Sequence, residues 1–402
     1  MQREFKIMKK LHLLSIVAVL CAMNVNAQKN APNYNEALGQ DAMNAINTAV
    51  PFLRIAPDSR SGAMGDAGIA ISPDAYAQIW NSSKLAFAET PYGVSITYVP
   101  WLRQLISDMN LAYVSGYYRL DKLQTIGASL RYFTMGNVNF FDNNGGNIGS
   151  YSPHEMAVDL SYNRKLSDNF SLGLAGRFIY SNLTGGQGGQ DNGQVEAGKS
   201  FAIDINGYYT DKLKLADYNC DWAFGFNISN LGAKLGYTSD TKDFIPTNLG
   251  LGGAFTMQLD KYNKITATVD FNKLLVPTPP ICYVDEHGDR VILSGKDDNV
   301  GIIQGMFQSF GDAPDGFKEE MNEITTSLGA EYWYANQFAA RLGYFHENAK
   351  KGNRKYFTAG VGLKMRMLGL DFSYLIPSGN FSNSPLKNTW RFSLTINFDE
   401  AN

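Results

Sequence analysis

The stretch SGAMGDAGIAISPDAYAQIWN, Ser61 to Asn81, sets Gly62, Gly65 and Gly68 at three-residue spacing and adds Asp66, Asp74, Trp80 and Asn81. Glycines gathered this way cradle phosphate when a buried strand precedes them and a helix follows. Here Pro51 to Ile55 is short and runs into Ala56-Pro57-Asp58. No Lys-Ser or Lys-Thr follows Gly68, and the spacing is not GxGxxG. The run therefore argues against nucleotide binding. Its small residues suit close backbone packing, and Arg60, Asp74, Trp80 and Asn81 supply polar groups to fix it. That is the chemistry of a compact structural plug.

Other reactive types do not assemble. The histidines downstream of the N-terminal segment, His154, His287 and His346, are scattered, with no zinc spacing. No GxSxG elbow is present. The acidic residues Asp285, Glu286, Asp289, Asp297, Asp298, Asp312 and Asp315 lack the spacing of a calcium loop, and a solvated acidic loop is the expectation. No catalytic residue, no metal site and no cofactor is expected. A net charge of -3 argues against a nucleic-acid partner.

The elements explain this pattern. Arg3, Lys6, Lys9 and Lys10 precede the apolar run Leu11 to Ala22, and Val25 and Ala27 are small residues two apart. Residues 1–27 read as a secretory signal peptide. Export makes a Cys220–Cys282 pair conceivable, though their separation in sequence argues against it. No later apolar run is long enough for a spanning helix, so an exported chain that crosses a membrane must do so as a closed barrel.

Period-two alternation fills the chain after Pro91. Met156, Val158, Leu160 and Tyr162 alternate with Ala157, Asp159 and Ser161, and Trp390, Phe392, Leu394, Ile396 and Phe398 with Arg391, Ser393, Thr395 and Asn397. Such strands have one apolar and one polar face. Segments of about ten residues with aromatic ends suit a membrane barrel. The polar faces place Asp159, Arg177, Asp204, Asp270, Glu331, Arg341, Lys364 and Asp371 in its lumen. The fold class is all-β, about fourteen antiparallel transmembrane strands with an N-terminal plug. Short turns (Asp121-Lys122, Ser167-Asp168, Asp260-Lys261, Ala335-Asn336) alternate with long outer loops. The link from Asp211 to Tyr218 is expected to be longer than a tight turn. Both termini are expected on the periplasmic side. The plug occupies residues 28–91, with a helix over Tyr34 to Ala49, and the barrel residues 92–402.

The run APDSRSGAMGDAGIAISPDAYAQIWNSSKLAF, Ala56 to Phe87, resembles the N-terminal motif of the PorV branch of the FadL-like barrel superfamily. Arg60 to Gly65 is its most specific part, and Asn81-Ser82-Ser83 departs from the Asn-Pro-Ala usual in the superfamily. The resemblance implies an outer-membrane shuttle of the type IX secretion system. Such a protein binds the C-terminal signal domain of secreted cargo leaving the translocon. It delivers that cargo to a surface attachment complex containing a sortase-like protease. Partners then include cargo domains, translocon, attachment complex and outer-membrane lipids, and the barrel is not an enzyme. The alternative is a FadL-like transporter of hydrophobic compounds.

The outer loop 276–323 is the expected partner surface. Pro277, Pro279 and Pro280 stiffen its start. Tyr283-Val284 and Val291 to Leu293 flank a polar turn and read as a hairpin. Met306, Phe307, Phe310, Phe317 and Met321 place apolar side chains on it, the first three at helical spacing. Exposed apolar clusters mark partner sites, and flexible Met suits varied partners. A loop folded down to cap the barrel is the competing expectation.

Overall fold

The computed structural model describes residues 43–398 apart from 142–145, 184, 186–195, 239–240 and 379–383. The signal peptide and the start of the plug segment, with positions 34–42 of the expected helix, lie outside the described residues.

Fourteen antiparallel strands close into a barrel. They are β1 (Tyr92–Pro100), β2 (Met109–Arg119), β3 (Gln124–Met135), β6 (His154–Lys165), β7 (Phe170–Asn182), β8 (Gly198–Leu215), β9 (Tyr218–Gly232), β10 (Asn248–Gln258), β11 (Asn263–Leu274), β14 (Thr325–Tyr334), β15 (Phe338–His346), β16 (Lys355–Met365), β17 (Leu368–Pro377) and β18 (Trp390–Phe398). Closure pairs β1 with β18 through Tyr92↔Phe398 to Tyr98↔Phe392. Two hairpins stand outside the barrel, β4 (Val138–Phe141) with β5 (Asn147–Tyr151) and β12 (Ile281–Val284) with β13 (Arg290–Ser294).

The alternation is inside out relative to a soluble protein. Outward-facing Ile96, Leu160, Leu174, Phe201, Leu342 and Val361 are each at least half exposed. Inward-facing Ser95, Thr97, Ser129, Asp159, Arg177, Asp204, Asp270, Glu331, Arg341 and Arg391 are buried. A strand wall with its apolar side outward is stable only against lipid. Ring pairs Tyr92–Phe398 and Tyr209–Trp222, with centroids 4.8 and 5.1 Å apart, mark the short-turn end, where interfacial aromatics belong. Lys364 continues the inward-facing register of β16 after Thr358 and Gly362 but is exposed, at the short-turn mouth of the lumen.

The expected long link after Thr210 is corrected. Strands β8 and β9 continue to Leu215 and from Tyr218, leaving a two-residue turn at Ala216-Asp217 with Ala216 at φ 51°. Asp211, Leu213 and Leu215 alternate with Lys212 and Lys214, so period two never stops there. At 18 residues β8 is the longest strand. Strand β7 stops pairing with it at Phe170↔Tyr209, so the last turn of the hairpin projects past its neighbour.

The N-terminal segment enters from the long-loop end. The Asn44 amide donates to the Lys350 carbonyl and the Ala49 amide to the Phe244 carbonyl, both in outer loops. This corrects the described part of the expected helix. Residues 43–49 are not helical, because outer loops take their backbone donors and Pro51 follows. The expected periplasmic amino terminus falls on residues outside those described, and the chain at Met43 stands at the outer mouth. From there it runs through a 3₁₀ turn (Pro51–Arg54), α1 (Ser59–Gly62), α2 (Ala77–Trp80) and a 3₁₀ turn (Ser82–Phe87) to β1 at the opposite end. Phe52, Leu53 and Val50 seal the outer part of the lumen against Val99, Leu111, Phe133, Ile179, Leu235 and Ile245.

Candidate functional site

Two assemblies carry the residues singled out by sequence, the plug inside the barrel and the long loop at its outer mouth. The plug is built from hydrogen-bonding residues that each brace two elements. Asp58 caps α1 by accepting from the Ser61 amide at 2.7 Å and accepts from Trp80 Nε1 at 2.6 Å. Arg60, at the start of α1, spends every guanidinium donor. Nε and Nη2 donate to both Glu331 oxygens at 3.0 and 2.8 Å, and Nη1 to Asp74 Oδ2 at 2.7 Å. The Ser72 carbonyl and hydroxyl accept the remainder at 3.1 and 2.8 Å. Glu331 on β14 also accepts from Arg341 Nε at 2.7 Å, and Arg341 Nη1 reaches Asp371 on β17 at 2.6 Å. One ionic chain thus ties the plug to three strands. A bidentate arginine fork fixes orientation as well as distance.

The glycines answer the question the sequence poses. The Gly68 and Ile69 amides both donate to Asp270 Oδ2, at 2.7 and 2.9 Å. Successive amides pointing at one anion are a phosphate-binding feature, and here a barrel carboxylate fills the place. A Cβ on Gly68 would run into the Trp80 ring, and one on Gly62 would come within 2.5 Å of the Arg391 guanidinium. Gly65 has φ +69°, and its added Cβ would meet the Tyr344 carbonyl oxygen at 2.5 Å. Its amide donates to Thr358 Oγ1 at 2.9 Å. Asn81 is the hinge between α2 and the last 3₁₀ turn. It donates to the Ile69 and Gly207 carbonyls at 3.2 and 2.9 Å and accepts from the Ser83 amide at 3.2 Å.

The structure therefore brings Arg60, Gly62, Gly65, Gly68, Asp74, Trp80 and Asn81 together in the lumen. Of their partners, Asp270 and Arg391 are read in the sequence only as polar strand-face residues, not as plug contacts, and Asp58 and Lys84 are not singled out at all. Lys84 is fully buried and donates to the Gly68 carbonyl at 2.5 Å, while Arg391 holds the Ala56 carbonyl at 3.1 Å and Asp66 at 3.2 Å. Only Asp58 left a local signal, its position just before Ser59-Arg60-Ser61, where a helix cap belongs. A cavity of about 130 Å³ remains between plug and wall. Arg54, Asp66, Trp80, Asn227, Asn230 and Arg354 are among its polar lining. It is smaller than the roughly 300–1,000 Å³ of a typical small-molecule site.

The connection 275–324 folds onto the outer mouth. It holds the β12–β13 hairpin, α3 (Ile302–Gln308) and α4 (Phe317–Asn322). Glu319, Glu320 and Glu323 face the barrel. Lys351 Nζ lies 2.6 Å from Glu319 and 2.9 Å from Glu323, and Lys273 at the top of β11 pairs with Glu320, at 2.9 Å, and Glu323. Asn44 of the N-terminal segment donates to Glu319 at 3.0 Å and to the Pro279 carbonyl at 3.2 Å. The helix faces opposite to these anchors are apolar. Phe307, Phe310, Phe317 and Met321 are exposed, while Met306 is half-buried. Helix α3 ends before Gly311, as the expected interruption requires. Near Glu323 and Lys351, Glu347 is shared by two arginines, Arg354 at 2.8 Å and Arg54 at 3.6 Å. Burial pushes its carboxyl up, but Arg354 first and Arg54 second hold it below the usual range.

Of the acidic loop residues, Asp285 closes a turn and Asp298 makes an ion pair, whereas Asp312 is buried under α4, which corrects the expectation of a wholly solvated acidic loop. Asp285 accepts from the His287 and Asp289 amides at 2.9 and 2.8 Å, and Asp298 pairs with Arg290 at 2.9 Å. No group of three metal-ligating side chains converges among the described residues. Cys220 and Cys282 are both free. One lies near the Ala216-Asp217 turn and the other in the outer hairpin, at opposite ends of the barrel.

Comparison with solved structures finds barrels. The chain is similar to a TodX deltaS2S3 mutant monoaromatic hydrocarbon channel (13% identity, 85% of this chain and 98% of that one, TM-score 0.46). It is also similar to the toluene transporter TodX of P. putida (12%, 90% and 100%, 0.45) and to a Pseudomonas aeruginosa FadL homologue (11%, 90% and 100%, 0.39). No curated protein sequence matches. Residues 38–281 match the family described as "Type IX secretion system protein PorV", a span that takes in the plug and the barrel as far as β11. With the closed fourteen-strand barrel and its outward apolar face, this makes the chain an outer-membrane member of the PorV family of type IX secretion proteins.

Proposed function

We propose that the protein is the cargo-handling barrel of the secretion system. In this reading it binds the C-terminal signal domain of an exported protein at its outer face and passes it from translocon to attachment complex. It catalyses no step itself. The observation that carries this reading is the pairing of a filled lumen with an anchored apolar loop. The plug occupies the lumen, so the working surface lies outside the barrel. Loop 276–323 presents Phe307, Phe310, Phe317 and Met321 to solvent while its opposite face is tied to the mouth. Exposed apolar groups on a fixed frame suit a binding site, since little order is lost on docking.

The solved neighbours that transport toluene suggest a hydrophobic-compound channel instead. Against it stands the small cavity with arginine, aspartate and asparagine in its lining. The test replaces Phe307, Phe310 and Phe317 together by Ser. The barrel should remain heat-modifiable and inserted, while cargo accumulates uncleaved and unattached. Normal cargo processing in that strain would reject the loop as the docking surface. Protein-dependent hydrocarbon uptake by liposomes would favour the channel.

A further inference from the structure

The ionic cluster under α4 holds two more carboxylates than ammonium groups. Asp312, Glu319, Glu320 and Glu323 oppose Lys273 and Lys351, four acids against two ammonium groups. All four acids are buried, as is Lys351, and the Lys273 side chain is nearly so. The oxygens can be accounted for one by one. Glu319 accepts from Asn44, Lys351 and the Asp315 amide. Glu320 accepts from the Asp312 and Ala313 amides at 2.8 and 2.9 Å and from Lys273. Glu323 accepts from Lys273, Lys351 and the Thr278 hydroxyl, the last at 2.6 Å. Asp312 Oδ2 accepts from the Thr278 amide at 3.2 Å, and Asp312 Oδ1 is the one carboxylate oxygen of the cluster with no partner.

A buried, unpartnered carboxylate oxygen beside like charges is costly unless it carries a proton. We propose that Asp312 is the proton-held catch of a latch that seats α4 and the outer loop on the barrel mouth, and that loss of this proton loosens the loop. Every element packed around it bears on the catch. Glu320 and Glu323 face it from α4, Lys273 from β11, and the Thr278 amide from the proline-rich entry strand. Lys351, from the β15–β16 loop, pairs with Glu323 and with the neighbouring Glu319. On the hairpin side Gly295 packs against the Asp312 carbonyl, where an added Cβ would lie at 3.2 Å.

Burial first, and the Glu320 charge second, raise the Asp312 carboxyl to about 7. The sign follows. A carboxyl raised in the seated state stabilises seating in full below its unseated value. It loses that contribution as pH climbs through about 7. Between those values the unseated fraction rises roughly tenfold per pH unit, one proton being released per opening. The latch is independent of what the loop binds.

The test is native-state proteolysis of the folded, detergent-solubilised protein with thermolysin. Cleavage before Met321 or Ile324 requires α4 to leave the mouth. Rates are normalised at each pH to a free peptide spanning 312–325. Expected is a rise of about tenfold per pH unit from pH 5 to 7 in the wild type, levelling above. Asp312→Asn supplies the amide in place of the protonated acid. It should fold to the same heat-modifiable barrel, flatten the profile and be cut more slowly than wild type at pH 8. A flat wild-type profile would overturn the latch. So would an Asp312→Asn protein that is barrel-folded but cut faster than wild type at pH 8.

Discussion

Arg60 shows what a single residue does in this lumen. Its five donors are all spent, and its removal would leave buried Glu331 and half-buried Asp74 each with a charge and fewer partners. Breaking a buried pair from one side costs about 3–5 kcal/mol. Arg60→Met should therefore lower the urea midpoint at which the compact electrophoretic form is lost. Arg60→Lys should recover only part, because an ammonium cannot form the two-pronged contact with Glu331. Gly65→Val should be worse for folding yield, since it puts a β-branched residue at φ +69° against the Tyr344 backbone. Gly301→Ala, where nothing lies within 4 Å, is the matched control. Neither purified wild type nor variant should bind ATP or NAD, because Asp270 already occupies the amides of Gly68 and Ile69. Saturable nucleotide binding abolished by Gly65→Val would contradict this.

At the scale of elements, the long loop behaves as a lid with two faces. The glutamates of α4 recur at Glu319, Glu320 and Glu323, and the aromatic and methionine groups at Phe317 and Met321 fall on the other side, a helical division of labour. Lys351→Met takes the ammonium partner from Glu319 and one of two from Glu323 without touching the barrel strands. Thermolysin should then cut α4 at least tenfold faster at pH 6 while the barrel keeps its heat-modifiable migration. Unchanged cleavage would mean that the hairpin and the proline-rich entry, not the ion pairs, hold the loop. The β8–β9 hairpin teaches a different point. Alternation persisted through Asp211 to Leu215, but the lysines and aspartates there looked like a loop. Polarity set the expectation when periodicity carried the truth.

At the scale of the molecule, the strand wall fixes the orientation of every loop. Short turns crowd one end with the closing residue Phe398, and the long connections share the other. A protease site inserted in the segment 183–197 should be cut on intact cells, and one at Ser167-Asp168 should be cut only after the outer membrane is opened. The opposite pattern would invert the barrel and remove the outer-loop reading with it. The plug also sets permeability. Arg60→Met should leak small antibiotics into cells in proportion to plug displacement, whereas the Phe307, Phe310 and Phe317 replacements should not. Equal leakage from both would mean that the loop, and not the plug, closes the pore.

The sequence by itself determined the barrel. Side-chain period two is a property of the chain, read without knowing any partner, and its polar strand faces with long and short connections in turn imposed fourteen antiparallel strands. It also confined the glycine run to packing. Partners were beyond its reach. Asp270 lies about two hundred residues from Gly68, and Glu331 meets Arg60 across 271 positions. No local pattern records which carboxylate fills which amide pair. The same holds at the mouth. Spacing displayed the apolar face of the loop, but whether that face turned inward or outward was decided by Lys273, Lys351 and Asn44, which only the closed barrel brings under α4. Periodicity is local, so it can be read from one chain; charge pairing in a lumen is long-range, so it exists only once the wall has closed.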